Sequence, residues 1–123
     1  DVLGYAEARR KSGLTLVNAP GNDICAATAL AAAGAQLVLF TTGRGTPLGA
    51  PVPTVKISSN AALAAKKKNW IDFDASPLAA GAELADEARR LMRLVLDTAS
   101  GAETRNEQNG ERQIAIFKNG VTL

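Results

Sequence analysis

The stretch from Gln36 to Thr54 constrains the fold more than any other part of the chain, because an apolar run changes abruptly into a polar loop. Residues 37–40 (LVLF) are a continuous apolar run with β-branched and aromatic members, which predicts a strand buried on both faces. Pro47, Pro51 and Pro53 prevent a helix from starting directly after it. Because open α/β sheets bind ligands at loops that follow strand C-termini, we expect a ligand-binding loop here.

The side chains of this loop suit a small hydroxylated anion. An arginine can grip a carboxylate through two hydrogen bonds, threonine hydroxyls can pair with sugar hydroxyls, and glycine N–H groups can complete the cradle. The alternative is a tight structural crossover with a surface arginine, and the residues alone favour neither. The candidate substrate-binding residues of the loop are Thr41, Thr42, Gly43, Arg44, Gly45 and Thr46.

The glycines of this loop do not complete a known nucleotide-binding motif. After Gly43 and Gly45, the dinucleotide motif G-x-G-x-x-G requires a glycine at position 48, where the chain has Leu48. That motif also requires a helix to open directly after the glycines, which the prolines prevent. No Gly-Lys-Ser/Thr sequence is present for a nucleoside triphosphate. The loop therefore favours a small anion over a nucleotide.

Three further positions are candidates for the edge of the same site. Asp23 follows the first predicted strand and Asn60 follows the third, and each is a candidate substrate-binding residue. Helix capping is the favoured alternative for both segments, with Asn22 or Asp23 capping the first helix and Asn60 the second. Asp72 and Asp74 point to one face of a predicted strand. We expect Asp72 at the surface and Asp74 at the edge of the site.

Strand patterns alternate with helix patterns along the chain, which predicts an α/β fold. We expect a Rossmann-like, mostly parallel sheet of about 4–5 strands with helices on both faces, and with Gly21, Thr42 and Ser59 at one edge. The predicted helices are 24–33, 61–68 and one that starts at Ser76-Pro77 and ends near Ala99. Residues 102–110 are expected to be a polar loop. The predicted strands are 14–18, 36–41, 54–58, 71–74 and 113–118.

Length and charge limit the function classes. The 123 residues suffice for one domain, and the formal charge of +2 is too small to predict binding to nucleic acid. No apolar run has the length that spans a bilayer, so no membrane partner is predicted. Residues 1–13 are polar and mixed, and we interpret them as a linker from a preceding domain, with 14–123 as a C-terminal α/β domain. A solvated tail is the alternative for 1–13.

Four segments resemble the C-terminal part of the altronate/galactarate dehydratase family of sugar-acid hydro-lyases. They are PGND at 20–23, AAGAQLVLFTTGRGTPLGAPVPTVKISSN at 32–60, WIDFDA at 70–75 and IAIFKNGVTL at 114–123. The resemblance implies one domain of a longer cytoplasmic enzyme of hexuronate catabolism that acts on a small sugar acid. The ending IAIFKNGVTL favours altronate, and galactarate or sulfolactate are related alternatives.

The chain contains no histidine, and this limits its share in such a reaction. Dehydration of a sugar acid removes a proton next to a carboxylate and expels a β-hydroxyl, which needs a base and commonly a metal. The resemblance implies a divalent metal, usually iron, in the full-length enzyme. We expect the base and the metal ligands in N-terminal domains of that enzyme, with no metal bound by this chain and its catalytic residues unknown. A non-catalytic module that binds a small anion or supports assembly is the alternative.

Overall fold

The computed structural model describes residues 1–116, which form a mixed α/β fold with parallel strands. The strands are β1 (Val2–Leu3), β2 (Leu16–Val17), β3 (Val38–Thr42), β4 (Thr54–Ser58) and β5 (Phe73–Asp74). The helices are α1 (Asp23–Ala32), α2 (Ala61–Lys66), α3 (Leu84–Ala99) and α4 (Arg105–Gln108), with a 3-10 segment at Ser76–Ala80.

The described strands lie in two sheets, so the predicted Rossmann-like sheet of 4–5 strands is not confirmed. One sheet has the order β3-β4-β5 and the other is the pair β1-β2, and all neighbours are parallel. β2 pairs with β1 because residues 1–3 offer it a partner strand: the backbone N–H of Asn18 donates to the carbonyl of Leu3 at 3.0 Å. Leu3 itself is buried. The segment interpreted as a linker therefore begins with a packed strand.

The burial of β3 and β4 differs from the sequence prediction. β3 alternates between buried and exposed residues, and Leu39 is 47% exposed, so the prediction that residues 37–40 are buried on both faces is wrong. β3 is partly exposed because it lies at the edge of its sheet and, within residues 1–116, has a neighbouring strand on one side only. β4 lies in the centre, and all five of its residues are buried.

The two predicted asparagine caps are confirmed. Asn22 Oδ1 accepts from the backbone N–H of Cys25 at the start of α1, and Asn60 Oδ1 accepts from that of Leu63 at the start of α2. Both interactions satisfy backbone donors that have no partner within the helix. The caps fix where the chain turns from each preceding loop into a helix.

The predicted long helix after Ser76 is broken. Gly81 adopts the left-handed conformation with φ of 91°, so a 3-10 segment ends there and α3 begins separately at Leu84. The predicted polar loop 102–110 contains α4, which Thr104 and Glu107 begin with a reciprocal capping box. Of the predicted strand 113–118, residues 113–116 are not in a strand, and residues 117 and 118 lie outside the described residues.

Helices pack on both faces of the three-stranded sheet. Ala27 of α1 packs with Val38 on one face. On the other face, Leu91 and Leu94 of α3 pack against a cluster formed by Val55, Ile57 and Phe73. Within residues 1–116, no helix combines the length and the hydropathy needed to cross a membrane.

Candidate functional site

The candidate site lies where the three parallel strands end. Thr42, Ser58 and Asp74 are neighbours in register across β3, β4 and β5. The backbone N–H of Ser59 donates to the carbonyl of Thr42 at 3.1 Å, which joins the ends of β3 and β4. The prediction that Thr42 and Ser59 lie at the same edge is confirmed. Gly21, by contrast, follows β2 of the other sheet.

The loop after β3 is held close to the start of α2. Asn60, besides capping α2, donates from Nδ2 to the carbonyl of Gly43 at 2.7 Å. Gly45 has a φ of 81°, and a Cβ atom at this position would lie 2.7 Å from Leu63 Cδ1. A glycine is therefore required for the loop to turn over the buried side chain of Leu63. Residues 43–45 and Asn60 form one connected unit.

Two of the threonine hydroxyls in the loop already bind backbone groups. Thr42 Oγ1 accepts from the N–H of Gly45 at 2.9 Å, and Thr46 Oγ1 accepts from the N–H of Leu48 at 3.2 Å. Each hydroxyl can still donate its own proton to a ligand. Thr41 is exposed and lies on the opposite face of β3 from Thr42. The three hydroxyls therefore do not form a single row.

Arg44 is the exposed charged group of this loop. No hydrogen bond or ion pair of its guanidinium occurs among residues 1–116. The loop that carries it is fixed on both sides, by Asn60 at Gly43 and by Thr42 at Gly45. An arginine whose backbone is fixed and whose guanidinium has no other partner can bind a carboxylate through two hydrogen bonds.

The second half of the loop is fixed by α4. Asn106 is buried, and its Nδ2 donates to the carbonyls of Leu48 at 3.0 Å and Thr54 at 3.3 Å. A Cβ atom on Gly49 would lie 1.9 Å from the carbonyl oxygen of Glu111, so only glycine fits there. These contacts join the loop to a segment some sixty residues further along the chain, which sequence reasoning had treated as loop.

Lys56 is the functional residue candidate that the sequence prediction missed. Its side chain is fully buried in β4, and Nζ donates to the carbonyl of Thr46 in the candidate loop. Burial lowers the pKa of Lys56 to about 8, although Asp72 and Glu111 act in the opposite direction. The only sequence signal was a lysine at the centre of an otherwise apolar and hydroxylated strand, in the sequence TVKIS.

Asp72 is not the surface residue that the sequence predicted. Its carboxylate accepts the backbone N–H groups of Lys56 at 2.7 Å and Arg105 at 2.8 Å. Burial raises the pKa of Asp72, and the two N–H groups and the nearby cations oppose that increase. Asp72 therefore ties β4 to α4. Asp74 ends β5 beside Ser58, and it accepts from the N–H of Ser76 at 2.9 Å.

Asp23 lies apart from this arrangement in the hydrogen-bonded topology. It is exposed, it is the first residue of α1, and it follows the β1-β2 pair rather than β3. Of the eight candidate residues, the five from Thr42 to Thr46 and Asn60 are brought together, Thr41 lies on the opposite strand face, and Asp23 begins α1 after the β1-β2 pair.

The described residues do not fit a metal ion. Among residues 1–116, no three His, Cys, Asp or Glu side chains are placed to hold one. The carboxylates near the site are occupied as well, since Asp72 and Asp74 accept backbone N–H groups. What this arrangement can do is bind and orient an anion.

The comparisons with known proteins identify the family to which the chain belongs. The family model described as D-galactarate/altronate dehydratase, C-terminal, matches residues 1–122. The chain is 53% identical over its whole length to altronate dehydratase of Escherichia coli (strain K12) and 50% identical to that of Bacillus subtilis (strain 168). It is 35% identical over 95% of its length to galactarate dehydratase (L-threo-forming) of E. coli.

The matched region is a limited part of each relative. The chain spans 25% of the length of both altronate dehydratases and 23% of galactarate dehydratase. The match runs through the loop, the three-stranded sheet and all described helices. The family resemblance noted in the sequence is thereby confirmed, and the chain belongs to the D-galactarate/altronate dehydratase family, within its C-terminal region.

Proposed function

We propose that this chain is the C-terminal domain of an altronate dehydratase, which converts D-altronate to 2-dehydro-3-deoxy-D-gluconate and water. The observation that carries the proposal is identity of 50–53% to two altronate dehydratases, against 35% to a galactarate dehydratase. The domain contributes one wall of the active site. Galactarate remains the nearest alternative substrate.

In this proposal Arg44 binds the substrate carboxylate. The guanidinium is exposed and unpaired within residues 1–116, and its loop is fixed by hydrogen bonds at Gly43 and Gly45. The hydroxyls of Thr42 and Thr46 each retain a proton that can be donated to the sugar acid. Binding the carboxylate and a hydroxyl of the acid together would hold the C2–H and C3–OH bonds in a fixed orientation for their cleavage.

The reaction itself loses a proton from C2 and hydroxide from C3, which together make one water molecule. Lys56 is not offered as the base, because its ammonium donates to the Thr46 carbonyl and is closed to solvent. We place the base and a divalent metal, iron by family resemblance, in the part of the enzyme outside this chain. We further infer that the strands of this domain belong to a Rossmann-like sheet, and that the enzyme is a cytoplasmic one of hexuronate catabolism.

The test is a substrate comparison with the purified full-length enzyme. D-altronate, galactarate and (2R)-sulfolactate are each supplied at equal concentration, and 2-keto acid or sulfite release is measured. We expect kcat/KM to be at least 100-fold higher for D-altronate than for the other two. A preference for galactarate would overturn the substrate assignment, and no lyase activity on any of the three would overturn the proposed function.

A further inference from the structure

Helix α3 buries only part of its apolar surface. Its inner strip packs against the sheet through Leu91 and Leu94, with Glu87 and Thr98 also buried on that side. A second strip at spacings of four residues is exposed: Leu84 is 70% exposed, Met92 58% and Leu96 59%. Residues four apart lie on one face of a helix, so these side chains and Ala88 form a continuous apolar flank. We call Leu84, Ala88, Met92 and Leu96 the α3 flank.

The α3 flank faces away from β5. The opposite side of the helix borders a groove with Asp72 and Phe73, and that side is charged. Arg90 lies over the Phe73 ring at 5.2 Å and pairs with Glu87 at 2.6 Å. Since β5 and β3 are the two edges of the sheet, a flank that faces away from β5 is directed toward β3.

The face of β3 beneath this flank is also uncovered. Leu39 pairs in register with Val55, and it lies on the same face as Leu37, which packs against the Val55 cluster. Leu39 is nevertheless 47% exposed. Within residues 1–116, the apolar face of the sheet is therefore covered by α3 over β4 and β5 and left exposed over β3 at Leu39. Isolated exposed leucines are ordinary, whereas a helix flank and an adjoining strand face together are a patch.

We propose that the α3 flank and Leu39 are the surface on which the rest of the full-length polypeptide packs against this domain. The length of that polypeptide supports this occupant, since the matched relatives are about four times as long as the chain. Parallel α/β sheets carry helices side by side on each face, so a further helix beside α3 is the packing expected over β3. The charged β5 side of α3 remains solvent-facing. This inference rests on family membership and not on the substrate.

The test uses the full-length protein and two neighbouring positions on α3. Met92→Cys probes the flank, and Arg93→Cys is the matched control because Arg93 is exposed on the β5 side. Both variants are labelled with a maleimide, and the label at each position is quantified by peptide mass spectrometry. We expect Met92→Cys to be labelled at least 50-fold more slowly than Arg93→Cys in the native protein, and at equal rates in denaturant.

A photo-crosslinking amino acid at position 92 identifies the occupant. Mixed preparations of isotopically light and heavy full-length protein distinguish contacts within one polypeptide from contacts between two copies. Cross-links within one polypeptide to segments outside this chain support the proposal. Equal labelling of the two cysteines, cross-links between light and heavy copies, or cross-links to residues 117–123 would each overturn it. The substrate assay can fail while these results stand, and the reverse also holds.

Discussion

β3 and β4 are paired along five residues. The strand with the more apolar sequence is nevertheless the more exposed of the two. β3 begins with the apolar residues of VLFTT and is exposed at Leu39 and Thr41. β4 has the sequence TVKIS, with a lysine at its centre, and is buried throughout. Place in the strand order, not composition, therefore decides which strand forms the core. A sequence pattern reports only what a strand could tolerate, because the neighbouring strands are not visible in it.

The two strands also divide the work of the domain. β4 is the central strand, and the side chain of its Lys56 runs through the interior to the carbonyl of Thr46. The buried ammonium therefore has a hydrogen-bond acceptor. β3 ends in the loop that presents Arg44, with Gly45 and Gly49 at positions where a Cβ atom would collide. The central strand supports the loop, and the edge strand exposes it.

The largest effect expected from this comparison concerns stability. Ile57 and Thr41 are partners in register, one on β4 and one on β3. Ile57→Ala leaves a cavity against the side chains of α3 and should lower the free energy of unfolding by about 3 kcal/mol. Thr41→Ala, the matched change on the exposed partner, should cost less than about 0.5 kcal/mol. Chemical denaturation of both full-length variants measures the difference. Equal losses would show that β3 is as buried as β4.

The next effect concerns catalysis at the end of β3. Arg44→Ala should lower kcat/KM by roughly 30- to 1000-fold, because it removes a charge-assisted pair worth on the order of 2–4 kcal/mol. Arg44→Lys should restore only part of the lost kcat/KM, since an ammonium cannot reproduce the bidentate contact of a guanidinium with a carboxylate. The melting temperature should not change in either variant.

The control for that experiment is Lys66→Ala, which removes an exposed cation from α2 outside the loop. Its kcat/KM should remain within about 2-fold of the wild-type value, because exposed charges distant from a site contribute little once screened by salt. If Arg44→Ala instead behaves like Lys66→Ala, or if it lowers the melting temperature, the loop after β3 is structural and the substrate binds elsewhere.

Several elements could be predicted because their signals are local. Asn22 and Asn60 are strong helix caps with apolar residues after them, and TVKIS at 54–58 matched the observed strand at both ends. The helix start at Ser76 was predicted, but the break at Gly81 was missed, and α4 was missed because four residues are too few to show a helical period. The T-x-x-E sequence at 104–107 did carry the capping-box signal.

The pairing of β2 with β1 depended on contacts that no local pattern contains. Two short strands separated by a dozen residues pair only because of the tertiary structure around them. The same limit applied to the site. The loop residues and Asn60 could be proposed as candidates from their chemistry, whereas Lys56 and Asp72 become informative only through the partners they reach across the sheet. Burial that depends on strand order cannot be inferred from the strand itself.

A smaller effect is expected from the protonation of Lys56. Its pKa is about 8 in the folded protein and 10.5 when unperturbed, so between these values the unfolded state binds more protons. Relative to Lys56→Met, the free energy of unfolding should therefore rise with pH across pH 8 to 10.5, by up to about 1.4 kcal/mol for each pH unit. Below pH 8 the difference between the two proteins should be constant. Denaturation midpoints at closely spaced pH values test this, and parallel pH profiles would contradict a buried, titrating lysine.

The smallest expected effects belong to the loop hydroxyls. Thr42→Val and Thr46→Val each remove an oxygen that accepts a backbone N–H, from Gly45 and Leu48 respectively, so each should cost about 1 kcal/mol. Because these hydroxyls fix the loop and, in the proposed function, also donate to the sugar acid, the loss should appear in kcat/KM as about a 5-fold decrease and in the denaturation midpoint as well. Thr42→Ser and Thr46→Ser keep the oxygen and should recover most of the lost kcat/KM and most of the lost stability.

Steady-state kinetics and denaturation of the four variants separate substrate binding from support of the loop. A decrease in stability with unchanged kcat/KM would mean that the hydroxyls only hold the loop, and that Arg44 alone binds the acid on this side of the site.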